Sequence, residues 1–195
     1  MLQPLIAILA GGRSTRMGSD KAGVEVAGST MAGWVTQAAG QVGEVLVVGR
    51  SEPLEGVPSI PDLPRAGRGP LAGLLAAYRS APGRPVVLLA VDQPWVRPAT
   101  LRAMIERYDG TTAVIPVDGG ARQTTCALYP PTLHGAAAAD PNLASIQRLL
   151  DDEGCRAIEP PEWAAWGEDG RSWFSVDDPA ALREGLRRFG PPPGG

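Results

Sequence analysis

Histidine is almost missing from this chain: His134 is the only one in 195 residues, and Cys126 and Cys155 are the only cysteines. Neither cysteine has a partner at metal-ligand spacing, which excludes a disulfide framework and a zinc site. Both read as small buried apolar residues. No apolar run reaches the ~18 residues that a membrane span requires. The N-terminus carries neither a basic leader nor a cleavable apolar segment, so the expectation is a cytoplasmic protein with no membrane partner. Excess positive charge is lacking too. Lys and Arg total 18 against 21 Asp and Glu, a formal net charge of -3, and the arginines are scattered. No nucleic-acid partner is expected. A polyanionic ligand must then be met locally, by a loop, a metal ion or a few cations.

What is present is a series of short apolar runs separated by Gly and Pro. Residues 5–9, Leu-Ile-Ala-Ile-Leu, are continuously apolar and lead into Gly11 and Gly12, as a buried parallel strand does. Residues 45–48 and 86–91 read the same way, and the second of these runs into Asp92. Helices are expected over 31–39, with Ser29 as cap; from Pro70 through Leu71, Leu74, Leu75 and Tyr78; over 98–108, with Leu101, Met104 and Ile105 inward; over 142–150; and over 179–189. Strands are expected over 113–117 and 124–129, around the turn Asp118-Gly119-Gly120, and over 173–176. Residues 1–190 read as one domain and 191–195 as a disordered Pro/Gly tail.

Strands alternating with helices specify an α/β fold, a Rossmann-like three-layer α/β/α arrangement with a mostly parallel sheet. Ligands in such folds bind beyond the carboxyl ends of the strands. Three polar features fall there: the loop after the first strand, Asp62 and Asp92. The loop, residues 9–21, lacks both the Walker A and the dinucleotide spacing. Its glycines still allow close approach of backbone N–H groups to phosphate. Arg13, Arg16 and Lys21 place three cations within nine residues.

This loop resembles the signature of the molybdenum cofactor guanylyltransferases and their nucleotidyltransferase relatives, LAGG-x-S-x-RMG-x-DK. Asp62, followed after six residues by Gly69-Pro70-Leu71-Ala72-Gly73, is similar to the family's second motif. Val91-Asp92-Gln93-Pro94 is similar to its metal-binding D-x-P element. Residues 122–129 are similar to the segment lining its acceptor side, and Ser175-Val176-Asp177-Asp178-Pro179 stands where the family has N-x-N-T-P or D-x-D-T-P. The family often has Asn after the second strand, where this chain has Gly49, and the last motif here lacks both asparagines.

The resemblance implies a GT-A-like nucleotidyltransferase fold with Mg²⁺ as cofactor. It also implies GTP as donor, a molybdopterin-type cofactor as acceptor, and transient contacts with a molybdoenzyme or chaperone. Leu9, Ala10, Gly11, Gly12, Arg13, Lys21, Gly49, Asp62 and Asp92 are the expected nucleotide-binding residues. Lys21, Arg16 and Asp92 are the expected catalytic ones, and Asp92 and Asp177 the metal ligands, with Asp178 capping the last helix. A phosphate acceptor is already ionised at neutral pH, so the scarcity of histidine fits transfer to a phosphate. Three alternatives stay open: CTP as donor, a sugar-phosphate acceptor, and a non-catalytic nucleotide-binding accessory protein. Trp34 and Trp173 read as core, whereas Trp95, Trp163 and Trp166 read equally as site walls or as packing.

Overall fold

The computed structural model describes residues 3–11, 20–61, 69–140 and 142–193. Its strands are β1 (Leu5–Leu9), β2 (Glu25–Val26), β3 (Ser29–Thr30), β4 (Val45–Val48), β5 (Ser59–Ile60), β6 (Val86–Ala90), β7 (Val114–Asp118), β8 (Ala121–Arg122), β9 (Cys126–Tyr129) and β10 (Arg156–Ile158). Its α-helices are α1 (Met31–Gly40), α2 (Gly69–Ser80), α3 (Pro98–Glu106), α4 (Leu133–Ala139), α5 (Ile146–Glu153), α6 (Pro160–Ala164) and α7 (Pro179–Phe189). The main sheet runs β10-β7-β9-β6-β1-β4-β5, with β8 paired to β7.

β1 pairs in parallel with β4 and β6, β4 with β5, and β7 with β10, whereas β9 runs antiparallel to β6 and β7. This is the expected α/β class, with β9 reversed inside the sheet and the short β8 antiparallel to β7. The apolar runs of β1 and β6 have no polar alternation because both faces are covered. Leu5 and Ala7 point into a core shared with α2, α4 and α5, while Ile6 and Ile8 enter the opposite core with α1 and α3. Successive side chains on a strand leave by opposite faces, so one five-residue run supplies both layers.

Several local expectations need correction. The cap of α1 is Thr30, the residue directly before Met31, which accepts from Gly33 N–H at 2.8 Å; Ser29 stands one position too early. The helix expected over 142–150 starts at Ile146, where Ser145 caps it. The strand expected over 173–176 does not form: Arg171–Trp173 is a 3₁₀ turn entered through Gly170 at φ 91°. Gly190, the residue before the expected tail, accepts from the Trp95 indole at 2.8 Å through its C=O, and within the tail Pro192 is buried.

Trp95 is not a site wall. It is fully buried, with Phe174 and Phe189 ring centroids at 5.8 and 5.9 Å. Its ring lies on Gly185 of α7, where a Cβ would overlap it. Trp163 and Trp166 are packing residues as well. The Trp163 indole donates to Val117 C=O at 2.9 Å, and Arg107 stacks over Trp166 at 4.4 Å. Truncating a buried Trp costs about 3–5 kcal/mol. Trp95→Ala is expected to lose that much in chemical denaturation; a loss under about 1 kcal/mol would show that α7 does not depend on this ring.

Candidate functional site

The parallel pairing of β1, β4 and β6 brings their carboxyl ends to one edge of the sheet. Leu9, Ala10 and Gly11 leave β1 there, Gly49 leaves β4, and Asp92 follows β6. The backbone of Leu9 and Ala10 is already engaged: Leu9 C=O accepts from Val91 N–H at 3.0 Å, and Ala10 N–H donates to Val48 C=O at 2.9 Å. Gly11, just beyond, is exposed. Gly49 has φ 100°, and its N–H donates to Ile60 C=O at 2.9 Å. That amide closes the β4–β5 end instead of facing a ligand. The helix that carries the second motif reaches the same edge. Gly73 of α2 packs on Leu9, whose side chain a Cβ would strike, so this glycine sets the close approach of α2 to the end of β1.

Lys21 opens a 3₁₀ turn, Lys21–Gly23, capped by Asp20, whose Oδ1 accepts from Ala22 N–H at 3.1 Å. The other Asp20 oxygen takes Arg50 Nη1 at 2.5 Å. Asp20 and Arg50 thus aim Lys21, and neither was among the expected site residues. Asp20 stood inside the signature and could have been found there. Arg50 carried no signal, because only the fold brings it to the loop.

From that turn Lys21 Nζ donates to Asp92 Oδ2 at 2.9 Å and to Asp177 Oδ1 at 2.7 Å. Asp92 is mostly buried and Asp177 mostly exposed. Burial alone would lower the pKa of the ammonium, but the bonds to Asp177 and Asp92 outweigh it and raise the value above that of a free lysine. The second Asp92 oxygen, Oδ1, is buried with no hydrogen-bond partner among the described residues. Asp92 caps no helix, since α3 begins at Pro98 after Arg97. Asp178 does cap one: its carboxylate accepts from Ala181 N–H at 2.8 Å at the start of α7. Gly12, Arg13, Arg16 and Asp62 lie outside the described residues. His134 is remote from this cluster in its contacts, with its ring 5.4 Å from that of Tyr78.

The model of the MobA-like NTP transferase domain matches residues 6–159, which include every expected site residue except Asp177. The chain belongs to that family. A Pelotomaculum thermopropionicum protein named probable molybdenum cofactor guanylyltransferase is 38% identical over 133 residues, 66% of this chain and 64% of that one. The match therefore spans just under two thirds of that relative. The crystal structure of molybdopterin-guanine dinucleotide biosynthesis protein A from Archaeoglobus fulgidus has a TM-score of 0.80 at 22% identity, over 94% of this chain and 97% of that one. A Mycobacterium tuberculosis protein solved in complex with manganese has a TM-score of 0.70 at 21% identity, over 96% of this chain and all of that one. The family and fold expected from the signature residues are thus established. Among the described residues, no helix is long and apolar enough to cross a membrane.

The geometry divides two adjacent acids of this transferase-family chain. Asp178→Ala is expected to lower stability by about 1 kcal/mol, the value of a lost cap, and to leave triphosphate binding unchanged. Asp177→Ala is expected to leave the melting temperature within a degree or two, because an exposed ion pair contributes little, while weakening divalent-cation binding. Melting curves and cation titrations of both variants check this, and reversed outcomes would overturn the division.

Proposed function

We propose that this chain transfers GMP from GTP to the terminal phosphate of a molybdopterin-type cofactor, releasing pyrophosphate. The observation that carries the reading is the convergence of Asp92 and Asp177 on Lys21 at the strand edge that also collects Leu9, Ala10 and Gly11. Support for guanine and for this acceptor comes from the Leu-Ala-Gly-Gly and Gly-Pro-Leu-Ala-Gly sequences and from the relatives' names.

A divalent cation, Mg²⁺ by this reading, fits the residues present. The Asp92 Oδ1 atom is buried without a partner, a state that costs energy unless something positive or hydrogen-bonding meets it. Asp92 and Asp177 would hold the ion, a hard oxygen-ligand set that leaves room for waters and phosphate oxygens. When bound, the ion supplies charge neutralisation at the triphosphate and withdraws electron density from the phosphorus under attack.

The remaining work falls to the chain. Transfer is an in-line displacement in which an acceptor phosphate oxygen attacks the α-phosphorus and the bond from that phosphorus to the α,β-bridging oxygen breaks, so that pyrophosphate leaves; positioning and charge stabilisation matter most. Lys21, released from the carboxylates, supplies a cation to the phosphates, with Asp20 and Arg50 holding the base of its turn. Gly11 offers a backbone that a nucleotide can approach closely. Gly12, Arg13, Arg16 and Asp62 complete the reading as loop N–H donors, phosphate cations and a base or ribose acceptor. An acceptor phosphate needs no proton removed, so no histidine is required.

Thermal-shift titrations with GTP, CTP, ATP and UTP plus Mg²⁺ test the donor, since a ligand that binds only the folded state raises its melting temperature. GTP is expected to give the largest shift, and four equal shifts would remove the base preference. Asp92→Asn is expected to lower pyrophosphate release about 100-fold or more, equivalent to about 2.7 kcal/mol; normal turnover at ordinary Mg²⁺ would overturn the metal reading. In nucleotide-free protein, Lys21→Met removes a competing cation. It is expected to tighten Mn²⁺ binding on the order of tenfold while weakening GTP binding; unchanged Mn²⁺ affinity would separate Lys21 from the cation site.

A further inference from the structure

Glu168 is almost fully buried, yet no part of the proposed transfer uses it. Its Oε2 accepts from the Thr100 and Ser172 hydroxyls, each at 2.5 Å. Its Oε1 accepts from the N–H groups of Asp169, Gly170 and Ser172 at 3.0, 2.9 and 3.3 Å. Five donors around one carboxylate are more than a loop turn needs, and two elements supply them. Thr100 belongs to α3, whereas Asp169, Gly170 and Ser172 belong to the turn that leads into the 3₁₀ segment Arg171–Trp173 and to that segment itself.

Glu168 is one end of a longer seam. The segment after β6, residues 92–100, lies against residues 167–176, and apart from the long Arg97 side chain its contacts fall in antiparallel order. Thr100 meets Glu168, and the Arg97 guanidinium donates to Gly167 C=O. Arg97 N–H donates to Ser172 Oγ at 3.1 Å. Gln93 Nε2 reaches Trp173 C=O at 3.5 Å, and the same amide donates to Thr125 at 3.2 Å. Val176 N–H donates to Asp92 C=O at 2.8 Å and closes the seam. At that rung stands the Asp92 side chain, and one residue beyond Val176 stands Asp177; the two are joined through Lys21. Apart from the Val176–Asp92 backbone bond, side chains tie these segments where a β-ladder would otherwise do so. Asp177 projects from a segment that has no regular structure of its own, and its position relative to Asp92 depends on this seam.

We propose that Glu168 is a positioning residue of the cation site: by fixing the 168–172 turn on α3 it sets the register of the seam, and so the placement of Asp177 beside Asp92. This rests on the reading that Asp92 and Asp177 share a divalent cation. Glu168 touches neither substrate nor cation and acts only through the backbone it holds. Removing it leaves Ser172, Gly170 and Asp169 N–H groups without an acceptor, which is costly in a buried turn, and lets the far end of the seam relax.

The test is Mn²⁺ binding to nucleotide-free protein, read from free Mn²⁺ by electron paramagnetic resonance, in a double-mutant cycle. Glu168→Ala is expected to weaken Mn²⁺ binding about tenfold, equivalent to 1.4 kcal/mol. Glu168→Gln, which keeps an acceptor and the side-chain volume, is expected to restore most of that loss. Leu149→Ala, in the core on the other face of the sheet, is expected to lower melting without changing Mn²⁺ affinity, which separates positioning from general destabilisation. In an Asp177→Ala background the Glu168→Ala effect is expected to vanish. A Glu168→Ala loss that persists in full in that background, or no loss at all, overturns the proposal. If Asp177→Ala alone binds Mn²⁺ as the parent chain does, the shared-cation reading fails, and it fails with Glu168 intact. Should Glu168→Ala not fold, Ser172→Ala removes two rungs of the seam at little cost in volume and is expected to weaken Mn²⁺ binding in the same direction; unchanged binding there overturns the proposal equally.

Discussion

Lys21 holds together two carboxylates that lie 71 and 156 positions away in the chain. Like charges brought to one edge of a sheet repel, and a single ammonium between them offsets that repulsion. Much of the surrounding structure serves this meeting. β6 delivers Asp92 at a rigid strand end, the seam of residues 92–100 with 167–176 delivers Asp177, and Asp20 with Arg50 delivers the lysine. The pairing is also reversible in its chemistry. A divalent cation can satisfy the same oxygens, and a triphosphate can receive the same ammonium, so the ion pair is a resting arrangement of the groups the proposed transfer needs.

The chemistry asked of such a site is modest in covalent terms. A phosphate acceptor arrives ionised, and the leaving group departs as pyrophosphate, so charge and alignment dominate. That agrees with a site edge built from Asp92, Asp177, Lys21 and backbone, and with a lone histidine packed at a tilt beside Tyr78 elsewhere. The two departures from the family pattern differ in weight. At Gly49 the backbone turns at φ 100° and its amide is tied to Ile60, so the position contributes shape to the edge more than a donor. In the last motif, Asp177 and Asp178 are adjacent in sequence but face different tasks, one toward Lys21 and one toward the first turn of α7.

The tryptophans illustrate how far composition can be read. Trp95 follows the D-x-P element immediately, and that proximity suggested a wall of the site. The chain turns between Asp92 and Trp95, however, and the ring enters a separate core with Phe174, Phe189 and the bare Gly185. Glu168 was not suspected at all. A glutamate in a Pro/Glu/Gly-rich stretch looks solvated, and nothing local announces that Thr100 and Ser172 will close over it.

The layers, and the edge at which the proposed site forms, follow from the residue pattern alone. Continuous apolar runs at β1, β4 and β6 require burial on both faces, which forces a covered parallel sheet, and the glycine-rich loop and Asp92 follow those runs directly. The signature residues from Leu9 to Lys21 determined the family. Which distant groups meet is settled by the folded arrangement: Arg50 on Asp20, Asp177 on Lys21, and Glu168 on Thr100. Those contacts are made by polar side chains in irregular segments, which carry no periodicity to read. Their partners are chosen by strand order and by the seam that the folded chain alone creates.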